Sequence, residues 1–463
     1  MNLSAARAAL AHLEIDDNPV SVRAKSRDFF WYSPVLKARL DHVTADFVVA
    51  PRSEAEVIEV LRVCHEHEVP VTTRGSGTGN YGQAMPLAGG CVLHLVHMNK
   101  VRAVHPGRVV VEPGCLLKDL DAAANASGQE IRMFSSTWAT ATIGGFIAGG
   151  SGGVGSCTWG ALRDLGNIIR LRVVTMEAAP RILEFTGEEV HRVSHAYGTN
   201  GIITEIEMPL APAYAWVEIF VATPDFPQAG RLADALGNQD GILKKLISVY
   251  EAPIAQDFFQ RVAPHVRPGE ALLGLMVAPH AMDGFLTFLA RHPGARMIWR
   301  SDLPDWAREP GHVFEYGWNH TTLRALKVDP AITYLQVRYG APDHVQRVEA
   351  IRAAFPDGEV LQHLEVMREN GRTMFAGLSL VRFTTETRLD EIVRIHEDMG
   401  CMIFNPHRYT LEEGGRQTVD DRQLAFKREA DPKGLLNPGK MIAWDAPDFD
   451  YAGVYAYRGL RRP

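Results

Sequence analysis

A chain of 463 residues exceeds the roughly 250–300 that one hydrophobic core accommodates, so two domains sharing an interface are expected, with room for a buried cofactor. Its net charge of -7 argues against a nucleic-acid partner, whose phosphates would call for a basic surface, and the basic tail Arg458-Gly-Leu-Arg-Arg-Pro463 reads as a solvated terminus. No apolar run reaches the ~18 residues that span a bilayer, and the start Met1-Asn-Leu-Ser-Ala-Ala-Arg lacks a signal-peptide pattern; a cytoplasmic protein without a membrane span is expected.

From residue 46 to about 212 short strands and helices are strongly punctuated. Phe47-Val-Val-Ala reads as a strand, and Ser53 with Glu56 forms a capping box that opens the next helix. That helix ends in Cys64-His65-Glu66-His67, where two histidines two residues apart point away from each other, so a solvated helix end is expected rather than a metal site. The five cysteines, Cys64, Cys91, Cys115, Cys157 and Cys401, are scattered and never form Cys-x-x-Cys, the usage of reduced thiols packed as small hydrophobes.

The strand Val69-Pro-Val-Thr-Thr leads into Arg74-Gly-Ser-Gly-Thr-Gly-Asn80. A Rossmann fingerprint would open a helix here and a Walker A loop would continue into Lys-Ser or Lys-Thr, but the chain runs on through Tyr81-Gly-Gln-Ala-Met-Pro-Leu-Ala-Gly-Gly90, which has no helical period. What is left is a loop whose N–H groups converge on an anion, with Gly75, Gly77 and Gly79 permitting the φ values and the close approach. Strands at Cys91-Val-Leu-His-Leu-Val and Arg108-Val-Val-Val follow, then a helix from Leu116 to Ala124. Thr142-Ile-Gly-Gly-Phe-Ile-Ala-Gly-Gly-Ser-Gly-Gly-Val-Gly155 is a second glycine field. Its apolar residues argue against a flexible linker, and backbone this poor in Cβ atoms is expected to lie against something large and flat. A third glycine signal, Tyr197-Gly-Thr-Asn-Gly201, enters the strand from Ile202.

Beyond about 213 apolar strands (Trp216 to Val221, Ala271 to Val277, Ile332 to Arg338, Phe375 to Val381) alternate with amphipathic helices (Gln228 to Leu236, Gly284 to Arg291, His344 to Ala354, Leu389 to Met399). Such repetition without glycine loops predicts an antiparallel sheet with helices on one face, in two weakly similar halves. A last helix precedes Asp431-Pro-Lys-Gly-Leu-Leu-Asn-Pro-Gly-Lys440.

The three glycine signals in this order, closed by that segment, resemble the FAD-linked oxidases of the vanillyl-alcohol oxidase and p-cresol methylhydroxylase superfamily, and Arg74-Gly-Ser-Gly-Thr-Gly is most similar to its glycolate oxidase and D-lactate dehydrogenase branch. The resemblance implies an α+β fold: a two-lobed FAD-binding PCMH-type domain over 1–212, an antiparallel-sheet cap or substrate domain over 213–400, and a segment over 401–463 that returns to the FAD domain. It implies that Arg74, Gly75, Ser76, Gly77, Thr78, Gly79 and Asn80, with Gln83, cradle the FAD pyrophosphate. Ser136, Thr137, Thr142, Gly144 and Gly145 would line the flavin and ribityl chain, Gly149, Gly152, Gly153 and Gly155 would pass beside it, Gly201, Ile202 and Ile203 would flank the adenine, and Asn437 would lie where the chain returns. Members that attach FAD covalently carry a histidine where this chain has Thr78, or a cysteine near Ala139 or Thr140, so non-covalent FAD is expected. The metal-binding histidine set of many 2-hydroxy-acid members is also missing: the corresponding stretches are Gln362-His-Leu-Glu-Val-Met and Phe404-Asn-Pro-His-Arg-Tyr, and no metal is assigned.

The resemblance implies hydride transfer from a small alcohol or 2-hydroxy acid to flavin N5, which requires a base for the hydroxyl proton and positive charge for the reduced flavin. Five residues are candidates. His407, as base, and Arg408, as charge stabiliser, fall on an apparent strand from Met402. His363 and Glu365 alternate on a strand and share a face. His320 lies in the aromatic and polar segment Tyr316-Gly-Trp-Asn-His-Thr-Thr-Leu-Arg324, read as a loop. The partners implied are a small-molecule substrate and oxygen or another electron acceptor, and self-association is left open. Rival readings are an oxidase of an aromatic or phenolic alcohol and a flavin-binding subunit without turnover of its own.

Overall fold

The computed structural model describes residues 1–449 other than positions 151, 304, 416 and 417; the basic tail lies outside the described residues. Two sheets build the N-terminal lobe. In the first the order is Ile15–Asp16, Phe47–Val49, Cys91–His94, Val71–Arg74, and both Phe47–Val49 and Val71–Arg74 run parallel to Cys91–His94. Helix Glu54–Glu66 packs Val57, Val60, Leu61 and Cys64 onto Phe47, Val71 and Cys91. Its N-cap Ser53 accepts the N–H of Glu56 at 3.3 Å, whereas the Glu56 carboxylate reaches back to the N–H of Arg52 at 2.8 Å, one residue earlier than in a standard capping box. His65 and His67 sit at the end of this helix. Among the described residues no three His, Cys, Asp or Glu side chains converge on a metal position, and all five cysteines are buried and unpaired.

The second sheet runs Val101–His105, Arg108–Val111, Ile202–Pro212, Arg170–Val174, Ile182–Thr186, antiparallel throughout. Part of the second glycine field is helical, which its composition conceals because glycine costs ~1 kcal/mol per helical position. Ile143–Gly149 forms two turns, started by Thr142, whose hydroxyl accepts the Gly145 N–H at 3.3 Å, and paid for by burial of Ile143, Phe146 and Ile147.

In the cap eight strands lie in the order Arg296–Arg300, Val217–Thr223, Ala271–Val277, Lys244–Tyr250, His363–Glu369, Arg372–Gly377, Gln336–Tyr339, Met402–Phe404, every neighbour antiparallel. Numbered along the chain, the first half is stacked fourth, first, third, second and the second half in reverse, so the weak internal similarity corresponds to two βαββαβ halves meeting back to back. Helices Phe226–Gly237, Met282–Leu289, His344–Ala354 and Glu386–Asp398 cover one face, packing Leu232, Phe285, Ile351 and Ile392 against Ile219, Val249, Leu273 and Phe375. The alternate residues Phe220, Tyr250, Leu272 and Met276 point the other way, into a core shared with Phe134, Ile143 and Leu117 of the N-terminal lobe. Burial on both faces explains why these strands read as continuous apolar runs.

Four expectations about the elements are corrected. The run from Ile332 breaks after Tyr334, and that from Phe375 breaks after Gly377, because Ile332–Tyr334 and Leu380–Arg382 pair with each other in a separate three-stranded sheet. The strand from Met402 stops at Phe404, ahead of Pro406, which has no N–H to give a ladder; His407 and Arg408 are therefore in a turn. Tyr316 to Arg324 is not a loop throughout, since Asn319–Val328 is a helix.

The lobes are joined by more than apolar contact. Lys245 of the cap is buried against Glu130 of the N-terminal lobe at 2.7 Å, and the carbonyl of Lys245 accepts the Gly155 N–H at 2.7 Å. After helix Asp421–Ala430 the chain returns to the first sheet, where Leu436 bridges Val71. Lys427, buried, donates to Asp431 at 2.6 Å and to the carbonyls of Thr199 and Leu436.

Candidate cofactor and active site

One cavity runs between the lobes. Its floor is the first glycine loop. Arg74 folds back over that loop, donating to the carbonyls of Arg27 and, at 3.1 Å, Ser76. Gly77, at φ +70°, passes beneath the guanidinium so closely that a Cβ would lie 2.2 Å from Nη2, and a Cβ on Gly75 would lie 2.1 Å from Thr142 Oγ1. Glycine is required at both positions by the chain's own packing. The consequence is a row of backbone N–H groups, Ser76 to Asn80, that donate to no acceptor among the described residues while all five residues line the cavity.

The side walls come from elements far apart in sequence. Ser136, Thr137, Thr142, Gly144, Gly145, Gly149 and Gly152 line one side, and Gln83, Gly201 and Ile203 are lining residues too. Ile202, between two lining residues of a strand, faces the opposite way into the core. Gly153 and Gly155 stand behind the wall: the backbone of Val154 and Phe134 pairs at 2.8 and 3.0 Å, and a Cβ on Gly153 would lie 2.1 Å from the Phe134 carbonyl. Asn437 does not line the cavity. Its Nδ2 donates to the carbonyls of Gln83 at 2.8 Å and Tyr197 at 2.7 Å, and its N–H to Val71, so it rivets the returning chain behind the loop.

Of the five candidates for proton transfer and charge stabilisation, His320 alone lines the cavity. It sits in the first turn of helix Asn319–Val328. Burial, and then the nearby Arg324, push its pKa down to about 4, and its ring hydrogen-bonds the Glu315 carbonyl, so the imidazole is neutral near pH 7. His407 is buried elsewhere: Nδ1 accepts from Ser33 Oγ at 2.7 Å and Nε2 donates to the Tyr334 carbonyl at 3.0 Å, with a pKa pushed down to about 3 by burial. Arg408 lies on the cap, 3.7 Å from Glu386 and 3.6 Å from Asp390. His363 and Glu365 do share a face and meet at 2.9 Å, in the interior of the cap and off the cavity.

Several lining residues carry no motif that singles them out in the sequence. Asp28, Phe29 and Tyr32 come from the N-terminal segment, where the aromatic run Phe29-Phe-Trp-Tyr32 was the available signal. Burial raises the Asp28 pKa to about 6, against two backbone N–H donors, from Phe30 and Ala84, and the opposing charge of Lys440. Trp318, Asn319, Gln336 and Phe404 form the cap side. Gln336 and Phe404 are register partners at the end of the eight-stranded sheet, which puts them side by side.

The N-terminal lobe matches the FAD binding domain family model over residues 45–181. The chain is 33% identical over 443 residues to the glycolate oxidase subunit GlcD of Bacillus subtilis (strain 168), covering 87% of this chain and 90% of that one. The chain belongs to the FAD-linked oxidoreductases. Within this family it is also 29% identical to a D-lactate dehydrogenase of Archaeoglobus fulgidus, covering 85% of this chain and 91% of that protein. The fold is that of a 4-ethylphenol oxidase from Gulosibacter chungangensis, with a TM-score of 0.67 at 17% identity over 95% of this chain and 96% of the other. This FAD-linked oxidoreductase is an enzyme acting on CH–OH groups, and its fold is the expected PCMH-type FAD lobe with a sheet-rich cap.

The residues present fit FAD. Five consecutive N–H donors without protein acceptors suit a pyrophosphate. Buried polar atoms without partners, Thr73 Oγ1, Trp318 Nε1 and Asn319 Oδ1, belong to residues lining the same cavity, and groups so placed require a ligand or water to satisfy them.

Proposed function

We propose that this FAD-linked oxidoreductase dehydrogenates a small 2-hydroxy acid or alcohol, with His320 as the base. The observation that carries this reading is His320, a half-buried cap histidine that lines the same cavity as the glycine loop and its row of backbone N–H groups. Ser76 to Asn80 hold the pyrophosphate, Thr142, Gly144 and Gly145 lie along the flavin, and Gly201 and Ile203 flank the adenine. FAD when bound supplies a two-electron acceptor, at N5, for the hydride of the CH–OH carbon. His320 takes the hydroxyl proton on the ring nitrogen not engaged by the Glu315 carbonyl, a bond that fixes tautomer and ring direction. The aromatic and apolar walls exclude water, which strengthens each polar contact made inside. FAD is held without a covalent bond, in keeping with Thr78 in the loop, and the electrons pass on to oxygen or another acceptor.

A specific observation favours the aromatic-alcohol reading as second choice. Among the described lining residues Arg74 is the one arginine or lysine, and its guanidinium is engaged by two carbonyls of its own lobe. The cap side is lined instead by Trp318 and Phe404, with Phe29 and Tyr32 nearby in the lining, a surface suited to a neutral ring. Anaerobic mixing of the FAD-loaded enzyme with D-lactate, glycolate and a set of benzylic and phenolic alcohols separates the readings. Bleaching by a hydroxy acid supports the first, bleaching by a phenolic or benzylic alcohol alone replaces it with the second, and an oxidised flavin with every compound leaves the role of a subunit without turnover.

A further inference from the structure

Trp318 has φ +49° and ψ −141°, a conformation that costs a side-chain-bearing residue about 1–3 kcal/mol and persists only where surrounding contacts impose it. One contact meets this backbone directly: Glu365 Oε1 accepts the Trp318 N–H at 2.6 Å. Glu365 is 1% exposed and gathers two further donors, His363 Nε2 at 2.9 Å on the same oxygen and Ser248 Oγ at 2.7 Å on Oε2. Strand register delivers this cluster, since Ser248 lies opposite Glu365 and Tyr250 opposite His363, with the Tyr250 and His363 rings stacked at 4.9 Å. Gly317 clears the way, because a Cβ there would lie 2.7 Å from Glu365 Oε1 and 2.9 Å from Ser248 Oγ.

What the cluster holds is the cap side of the active cavity. The Trp318 ring reaches across to the FAD lobe, where a Cβ on Gly152 would meet its Cη2 at 3.0 Å, and Trp318, Asn319 and His320 are consecutive lining residues. We propose that Glu365, supported by Ser248 and His363, is a positioning residue that holds Trp318 in its rarely adopted backbone conformation and thereby aims Trp318, Asn319 and His320 at the cavity. A carboxylate suits this task because three donors converge on it and it only accepts; an amide of the same shape presents an N–H₂ to one of them. The kinetic part of the test rests on His320 as the base, whereas the spectroscopic part does not.

Labelling with 5-fluorotryptophan gives a ¹⁹F resonance for each of the eight tryptophans, and Trp318→Phe assigns the one from Trp318. In FAD-loaded protein Glu365→Gln moves or broadens that resonance and leaves the others in place; an unmoved Trp318 resonance overturns the proposal. With the compound that bleaches the flavin, Glu365→Gln slows flavin reduction on the order of 100-fold, while the Kd for FAD changes by less than about twofold. In a Trp318→Gly background, where glycine adopts the same φ without steric cost, the same substitution slows reduction by less than about threefold. A full, multiplicative loss in that background also overturns the proposal. If Glu365→Gln does not fold, Ser248→Ala is read in the same way. Should no compound reduce the flavin, the function proposed above fails while the ¹⁹F result still decides this one.

Discussion

His320, half-buried, and His407, fully buried, both have pKa values lowered mainly by desolvation, and only their surroundings separate a candidate base from a bolt. His407 has both ring nitrogens committed, to Ser33 and to the Tyr334 carbonyl, whereas His320 stands at the cavity with one ring bond to Glu315. Replacing His320 by Asn is expected to slow flavin reduction by roughly 10²–10⁴-fold, the usual worth of a positioned general base, with unchanged FAD affinity; stopped-flow absorbance measures both. In the unsubstituted enzyme the reduction rate should be flat around neutrality and fall only as pH drops toward about 4, where His320 takes up a proton. A limb centred near the ordinary histidine value would assign the base elsewhere. His320 was legible as a candidate from the density of aromatic and polar residues around it, but so was His407, and nothing in spacing alone ranks them.

At the level of elements, the glycine loop is shaped by neighbours that arrive from elsewhere. Asn437 ties Val71, Gln83 and Tyr197 together from the returning C-terminal segment. Asn437→Ala removes the donor from the buried Tyr197 carbonyl and the half-buried Gln83 carbonyl, at a cost of about 1–3 kcal/mol for a buried group left orphaned. The measurable outcome is a lower thermal midpoint and weaker retention of FAD on gel filtration; wild-type retention would show that the loop needs no rivet. The loop itself was readable because its glycines and the absent helix exclude other nucleotide motifs. The helix Ile143–Gly149 was not, because its cap and buried face outweigh the poor propensity of three glycines.

For the molecule as a whole, folding shields neutral histidines from solvent, in part or fully, in both lobes. His94 and His320 are held at about 4 and His407 at about 3, each mainly by burial. The unfolded chain binds protons at these sites near pH 6.5 and the folded chain does not, so their neutral form favours folding fully above that value and progressively less as pH falls through it. Between pH 7.5 and 5 the loss is on the order of 2 kcal/mol for His407 alone. Urea midpoints across that range should fall, and His407→Gln should flatten the decline; an equal slope in the variant would remove His407 from the account. The shared apolar core between the lobes, Phe134 and Ile143 against Phe220 and Tyr250, makes the lobes one packed body across the cavity.

From residue pattern alone came the antiparallel cap and the anion-binding loop, because glycine spacing and apolar periodicity are local properties that the backbone obeys wherever the chain goes; the FAD lobe and the expectation of a CH–OH oxidoreductase came from the family resemblance that the ordered glycine signals carry. Tertiary structure decided which histidine reaches the cavity, that Asp28, Phe29 and Tyr32 help wall it, and that Glu365 grips Trp318. Those outcomes depend on strand register and on a break ahead of Pro406, where a shift of one residue turns a side chain from the cavity into the core.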